Sequence, residues 1–175
     1  MKNISGFTLM EVLVSVGIVA ILGIVIVQTF FTTVRTSRKT EITRDVKQNG
    51  DFALDVMSRM VRSARMVTTV CSTNGTQTPT ITIVNPDNYT TTFGCVVDGA
   101  VSRIASTSGL RTEYLTSRNV SLGVDCTNAL TFICTGLASQ KTSVQIKFTL
   151  GQVGTPVDQF EKGSSNFQTS VVTRQ

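Results

Sequence analysis

The sequence predicts an α+β fold, a long N-terminal helix packed on an antiparallel β-sheet domain, and three observations predict it. The first proline is Pro79, so nothing breaks a helix across the N-terminal part of the chain. From Thr68 onward the composition turns to Thr, Ser, Asn, Gly and β-branched residues, in short runs separated by turn signals. Between these regions an apolar stripe recurs at helical spacing, and a sheet with one dry face needs such a cover.

The first element is a membrane-length helix. From Val12 to Phe31 the only non-apolar side chains are Ser15, Gln28 and Thr29. A helix over residues 7–31 is therefore long enough to cross hydrocarbon about 30 Å thick. Glu11 is the anomaly, because an ionisable group in such a segment costs roughly 3 kcal/mol and calls for a partner or a role. A secretory signal peptide, with Met1 to Asn3 as its n-region and a cut between Gly17 and Gly23, would have its apolar region interrupted by this charge. The run also exceeds the usual length of about 7 to 15 residues. An ordinary single-pass anchor leaves Glu11 unexplained.

The stretch Gly6-Phe7-Thr8-Leu9-Met10-Glu11 and the apolar run behind it resemble the N-terminus of type IV prepilins and type II secretion pseudopilins. The resemblance implies a leader over residues 1–6, cleavage between Gly6 and Phe7 by a prepilin peptidase, N-methylation of Phe7, and an assembly role for Glu11. It also implies partners: other pilin subunits in a filament, an assembly platform, and membrane lipid before assembly. Phe7 and Glu11 are four residues apart on one helix face, so the carboxylate can meet its own or a neighbouring subunit's terminal amine. Asp51 to Arg65 is similar to the helix of minor pilins and pseudopilins of the PilW and GspJ kind, and Phe167 to Arg174 to the final strand of many minor pilins. Many family members carry a proline midway along the apolar segment; its absence here leans towards a minor pilin or pseudopilin. Such a protein is a single-pass membrane protein and then part of an extracellular or periplasmic filament, which places the N-terminus in the cytoplasm. Loop charge argues the other way, since Arg35, Arg38 and Lys39 follow the span and only Lys2 precedes it.

Residues 32–67 form the amphipathic half of the helix. Ile42, Val46, Ala53, Val56, Met60, Ala64 and Val67 recur at spacings of three, four or seven, while Arg44, Lys47, Asp51, Asp55, Arg59 and Arg62 fall on other faces. No heptad is sustained, so the stripe is expected to cover the following sheet rather than a coiled-coil partner. Gly50, beside Asn49, costs about 1 kcal/mol within a helix and marks a bend or a local break. Gly17 and Gly23 read as packing positions.

Residues 68–175 make one β-rich globular domain. Strands are expected at 80–84, 89–97, 101–105, 110–115, 120–122, 129–135, 143–150 and 168–173, with a turn at Asn85-Pro86-Asp87-Asn88 and a long loop over 151–165. Val144, Ile146, Phe148 and Leu150 alternate with Gln145, Lys147 and Thr149, the signature of a half-buried strand. Cys71, Cys95, Cys126 and Cys134 all lie here. An even count beyond a membrane segment points to two disulfides in an oxidising compartment. The expected pairing is Cys71–Cys95 with Cys126–Cys134, each closing a short loop, although four cysteines allow three connectivities.

Chemistry is excluded more readily than assigned. The chain has no histidine, so Ser-His-Asp and Cys-His arrangements are impossible, and no C-x-x-C pair or acidic cluster offers a metal site. The carboxylates Asp87, Asp98, Glu113, Asp125, Asp158 and Glu161 are scattered, and no phosphate loop is present. No enzyme activity and no cofactor are expected. The formal charge of +5 favours acidic partners only slightly. An alternative is a DNA-uptake or adhesive pilin in which Arg103, Arg111, Arg118, Lys141 and Lys147 supply phosphate contacts, but these residues lack interleaved aromatics.

Overall fold

The computed structural model describes residues 8–136, 141–154 and 163–174. It is the expected α+β arrangement, with one long N-terminal helix, α1 (Leu9–Ser63), and ten strands among the described residues. Two compact units divide the chain, residues 1–40 and residues 41–175.

The first unit is helical from Leu9 onward, and none of its described residues is buried. In the second unit α1 continues and buries Val46, Gly50, Ala53, Met57 and Val61. Gly50 does not break the helix, which runs through it without interruption. Its missing side chain makes room for a ring, since a Cβ added there would overlap Phe167. The apolar stripe is also rotated from the expected one. Met57 and Val61 lie at its centre, and Val56 and Met60 are half-buried flanks.

The helix ends at Ser63, short of the expected boundary at residue 67. A tightened last turn, with Ala64 N–H donating to Val61 O at 3.3 Å, hands the backbone to the sheet. Arg65 N–H then donates to Val84 O and Thr68 N–H to Thr82 O. Between them lies β1 (Met66–Val67), and Val67 stays buried because strand alternation turns it inward.

The remaining strands are β2 (Thr76–Thr78), β3 (Ile81–Val84), β4 (Thr90–Asp98), β5 (Val101–Ser108), β6 (Arg111–Tyr114), β7 (Val120–Ser121), β8 (Leu130–Thr135), β9 (Ser143–Gln152) and β10 (Ser164–Val172). One sheet has the order β1-β3-β4-β5-β6 and the other β10-β9-β8-β2, with β7 beside the end of β9. All the strand pairings are antiparallel. Val144, Ile146, Phe148 and Leu150 of β9 point inward as expected. β2 is a strand that the alternation did not indicate, and β10 begins four residues before the expected strand at 168. The turn at Asn85 to Asn88 is present, with Asn88 at φ 68° and Asn85 N–H donating to Tyr89 O at 2.8 Å.

Residues 115–122 cross from one sheet to the other. Leu115 N–H bonds to Ile104 O at 2.8 Å and Leu122 N–H to Ser102 O at 2.9 Å. At the other end β7 joins β9. The helix reaches this crossing, for the Asn49 side chain accepts from Ser117 N–H at 2.8 Å.

All four cysteines are paired, but not as expected. The bonds are Cys71–Cys134 and Cys95–Cys126, with Cα separations of 5.0 and 5.5 Å. Sheet register overrides chain proximity. Ser72 bridges Thr135, and Thr76 sits opposite Cys134, which sets Cys71 beside Cys134. Cys95 on β4 then meets Cys126 in the segment leading to β8.

Candidate functional site

The first turn of α1 is built from Thr8 and Glu11. Glu11 N–H lies 3.1 Å from Thr8 O and 3.3 Å from Thr8 Oγ1, and Val12 N–H donates to Thr8 O at 3.2 Å. Thr8 is thus the N-cap, satisfying a helical N–H that would otherwise be orphaned, at a value of about 1 kcal/mol. Charge and hydropathy do not reveal this role. The spacing Thr-x-x-Glu, a capping-box signature, does. The Glu11 carboxylate also lies in the first turn, where the helix dipole favours an anion. Gly6 and Phe7, the expected processing residues, lie outside the described residues.

Beyond Glu11 the helix surface is apolar and open. Leu9 and Met10 are 77% and 69% exposed, and the large side chains from Val12 to Phe31 are all more than half exposed. An apolar surface of this extent needs lipid or protein around it. From Leu9 to Phe31 the helix is about 34 Å long, enough to span a bilayer core, and its length and apolar composition meet the requirement for a membrane span.

Six of the polar side chains on this helix line up along it. Ser15, Thr29, Thr33, Thr36 and Thr40 follow Glu11 by 4, 18, 22, 25 and 29 residues. Each interval is close to a whole number of turns at about 3.6 residues each, so all six side chains share one face. The hydroxyls are satisfied within the helix: Ser15 donates to Glu11 O at 2.7 Å, Thr29 to Val25 O at 2.9 Å, Thr33 to Thr29 O at 2.8 Å, and Thr36 and Thr40 to the Thr32 and Thr36 carbonyls at 2.9 Å. Gln28 lies about 100° away round the helix. The face forms a seam of small side chains headed by a carboxylate, which suits close helix contact in an apolar medium.

Residues 1–27 match the prokaryotic N-terminal methylation motif. The match covers the Gly6-Phe7 pair, Glu11 and most of the apolar run. No curated protein and no solved structure matches the chain. The methylation motif supports a type IV pilin-like protein cleaved by prepilin peptidase, and it indicates a structural protein that assembles with other pilin subunits. With the long apolar helix, it fits a protein anchored in a membrane and then exposed on a filament.

A second polar cluster lies in the β domain. Asp98 Oδ2 accepts from Arg103 Nη1 at 2.8 Å and Arg118 Nε at 3.1 Å, while Arg118 Nη2 reaches Oδ1 at 3.2 Å. Arg103 also donates through Nε to Thr116 O at 2.8 Å, adds an Nη2 bond to the same oxygen, and lies over the Tyr114 ring at 4.0 Å. Hydrogen bonds from Arg103 first, and Arg118 second, hold the Asp98 pKa below its ordinary value of 3.8. The cluster fastens the crossing segment to β5. It also bears on nucleic acid, because Arg103 is committed to a carboxylate and a carbonyl. Of the other basic residues named for that role, Arg111 lies on β6, Lys147 on β9 of the other sheet, and Lys141 just before it. The structure does not gather them into one face. Among the described residues no carboxylates or cysteines group as a metal site, and Asp158 and Glu161 fall outside them.

Proposed function

We propose that the chain is a structural subunit, a minor pilin or pseudopilin, of a type IV pilus or a type II secretion-like filament. The observation that carries this reading is Glu11, within the N-terminal methylation motif, at the head of a polar seam on an otherwise apolar, exposed helix. Cleavage between Gly6 and Phe7 frees an amine one turn before Glu11, and methylation of Phe7 follows. The apolar part of α1 is a membrane anchor first and filament core afterwards. Glu11 sets register there, because a misdocked subunit leaves its carboxylate unpaired in an apolar environment, at a cost of several kcal/mol. The β domain faces outward, and disulfides suit it to an oxidising surrounding.

N-terminal sequencing and intact mass of the membrane-extracted protein, with and without Gly6→Val, test this proposal. The expected result is an N-methylated Phe7 terminus that disappears in the variant. A chain that retains Met1, or one cut near Gly23, would overturn it.

A further inference from the structure

A cleft of about 630 Å³ lies in the β domain, where the chain leaves β2 in one sheet for β3 in the other. One wall is β2 with Pro79 behind it, and the other is the segment from Cys126 to Asn128 that leads into β8. Both walls are fixed covalently. Cys71–Cys134 ties the approach to β2 onto β8, and Cys95–Cys126 ties the second wall to β4. Gln77 stands opposite Ile133 on β8, so strand alternation puts it on the same face as Thr131, away from buried Leu130 and Phe132.

The lining is neutral and largely unspent. Gln77, Thr127, Asn128 and Thr131 contribute two carboxamides and two hydroxyls, and none of these four side chains is hydrogen-bonded within the protein. The Thr78 hydroxyl is the exception, donating to Thr80 O at 2.8 Å. No Lys, Arg, Asp or Glu lines the cleft, and Asp125, the carboxylate nearest in sequence, accepts from Thr127 N–H at 3.1 Å. Pro79, Leu130 and Cys126 add apolar surface. Two other clefts differ. One, of about 330 Å³, brings in the charged Asp45 and Arg118. The other, of about 440 Å³, is lined by Ser121 and Thr149, whose hydroxyls already donate to Gly123 O and Asn166 Oδ1.

We propose that the cleft beside β2 binds a neutral sugar ring. Each hydroxyl of a sugar both donates and accepts, and the carboxamides of Gln77 and Asn128 with the hydroxyls of Thr127 and Thr131 offer both functions in return. A charged ligand would find no counter-ion among the lining residues and would lose hydration without replacement. The apolar surface of Pro79, Leu130 and Cys126 suits the C–H face of a pyranose. The volume lies within the range of about 300 to 1,000 Å³ typical of small-ligand sites. Walls tied by disulfides make the site preformed, which lowers the entropy lost on binding. The claim concerns the β domain alone and does not depend on the filament reading.

Saturation-transfer NMR on the full chain tests it, in a zwitterionic detergent so that no glycoside headgroup competes. The probes are the methyl glycosides of glucose, galactose, N-acetylglucosamine and N-acetylgalactosamine at millimolar concentration, with glucuronate as the charged comparison. The expected result is saturation of at least one neutral glycoside. Its binding should weaken at least about tenfold in the Gln77→Ala/Asn128→Gly variant, which removes both carboxamides. Glycine suits the φ of 55° at position 128, and both side chains are exposed, so the unfolding midpoint of the variant should move little. Gln168→Ala on β10, outside the cleft, should bind as the parent does. Saturation of none of the neutral glycosides, undiminished binding by the variant, or glucuronate bound as tightly as the neutral sugars would each overturn the proposal.

Discussion

Gly50 of α1 lies directly against the ring of Phe167 on β10, which stacks in turn on Phe148 at 5.2 Å between centroids. Helix propensity alone would favour alanine at this position by about 1 kcal/mol. Overpacking a close ring contact costs about 1 to 3 kcal/mol, so Gly50→Ala is expected to destabilise. Urea unfolding of the detergent-solubilised chain measures it. Phe167→Leu should relieve part of the loss in the double variant, and strict additivity of the two would show that the ring is not the obstacle.

Asn49→Ala removes the acceptor for Ser117 N–H and leaves a half-buried donor unpaired. The expected loss is about 1 to 2 kcal/mol. Asn49→Asp keeps an acceptor oxygen and should cost less, so the test is the order of the two unfolding midpoints.

Asp98 sets an acid limit. Its pKa is lowered in the folded chain from the ordinary value of 3.8. The stability it contributes is therefore fully present above that value, which holds in the unfolded chain, and is lost as pH falls through the lower folded one. Asp98→Asn should flatten the fall in unfolding midpoint below about pH 4. A variant as acid-sensitive as the parent would assign that fall to other carboxylates.

Non-reducing proteolytic mapping should recover Cys71 linked to Cys134 and Cys95 to Cys126. Their separations are 63 and 31 residues, and loop-closure entropy assigns roughly 4 kcal/mol to each, with the longer loop about 0.6 kcal/mol ahead. Paired Cys→Ser variants, compared by unfolding midpoint, test that order.

Glu11→Gln keeps the Thr8 cap and removes the charge. Processing at Gly6 should persist while the subunit accumulates in membranes and fails to enter sheared filaments. Wild-type recovery in the filament fraction would remove the assembly role.

Much of this architecture was legible because the signals were local. The β9 alternation needs only its own residues, and the apolar run with Glu11 is a property of a short window. What escaped depends on partners distant in sequence. Gly50 looked like a defect because Phe167 is invisible from the helix. The cysteines were paired by chain distance, whereas the β2–β8 register decides. β2 itself, Thr76-Gln77-Thr78, has no apolar alternation and becomes a strand only because β8 offers it an edge. Within the candidate site Glu11 was evident from its cost in lipid. Thr8 needed the capping pattern, and the seam needed helical phase carried over eight turns.

The shorter disulfide loop lies wholly inside the longer one. A single peptide-bond cut anywhere between Cys71 and Cys134 therefore leaves both fragments joined by at least one covalent bridge. A chain nicked by a protease at an exposed turn such as those at Gly99, Gly109 and Gly123 would remain one molecule and need not shed part of its β domain.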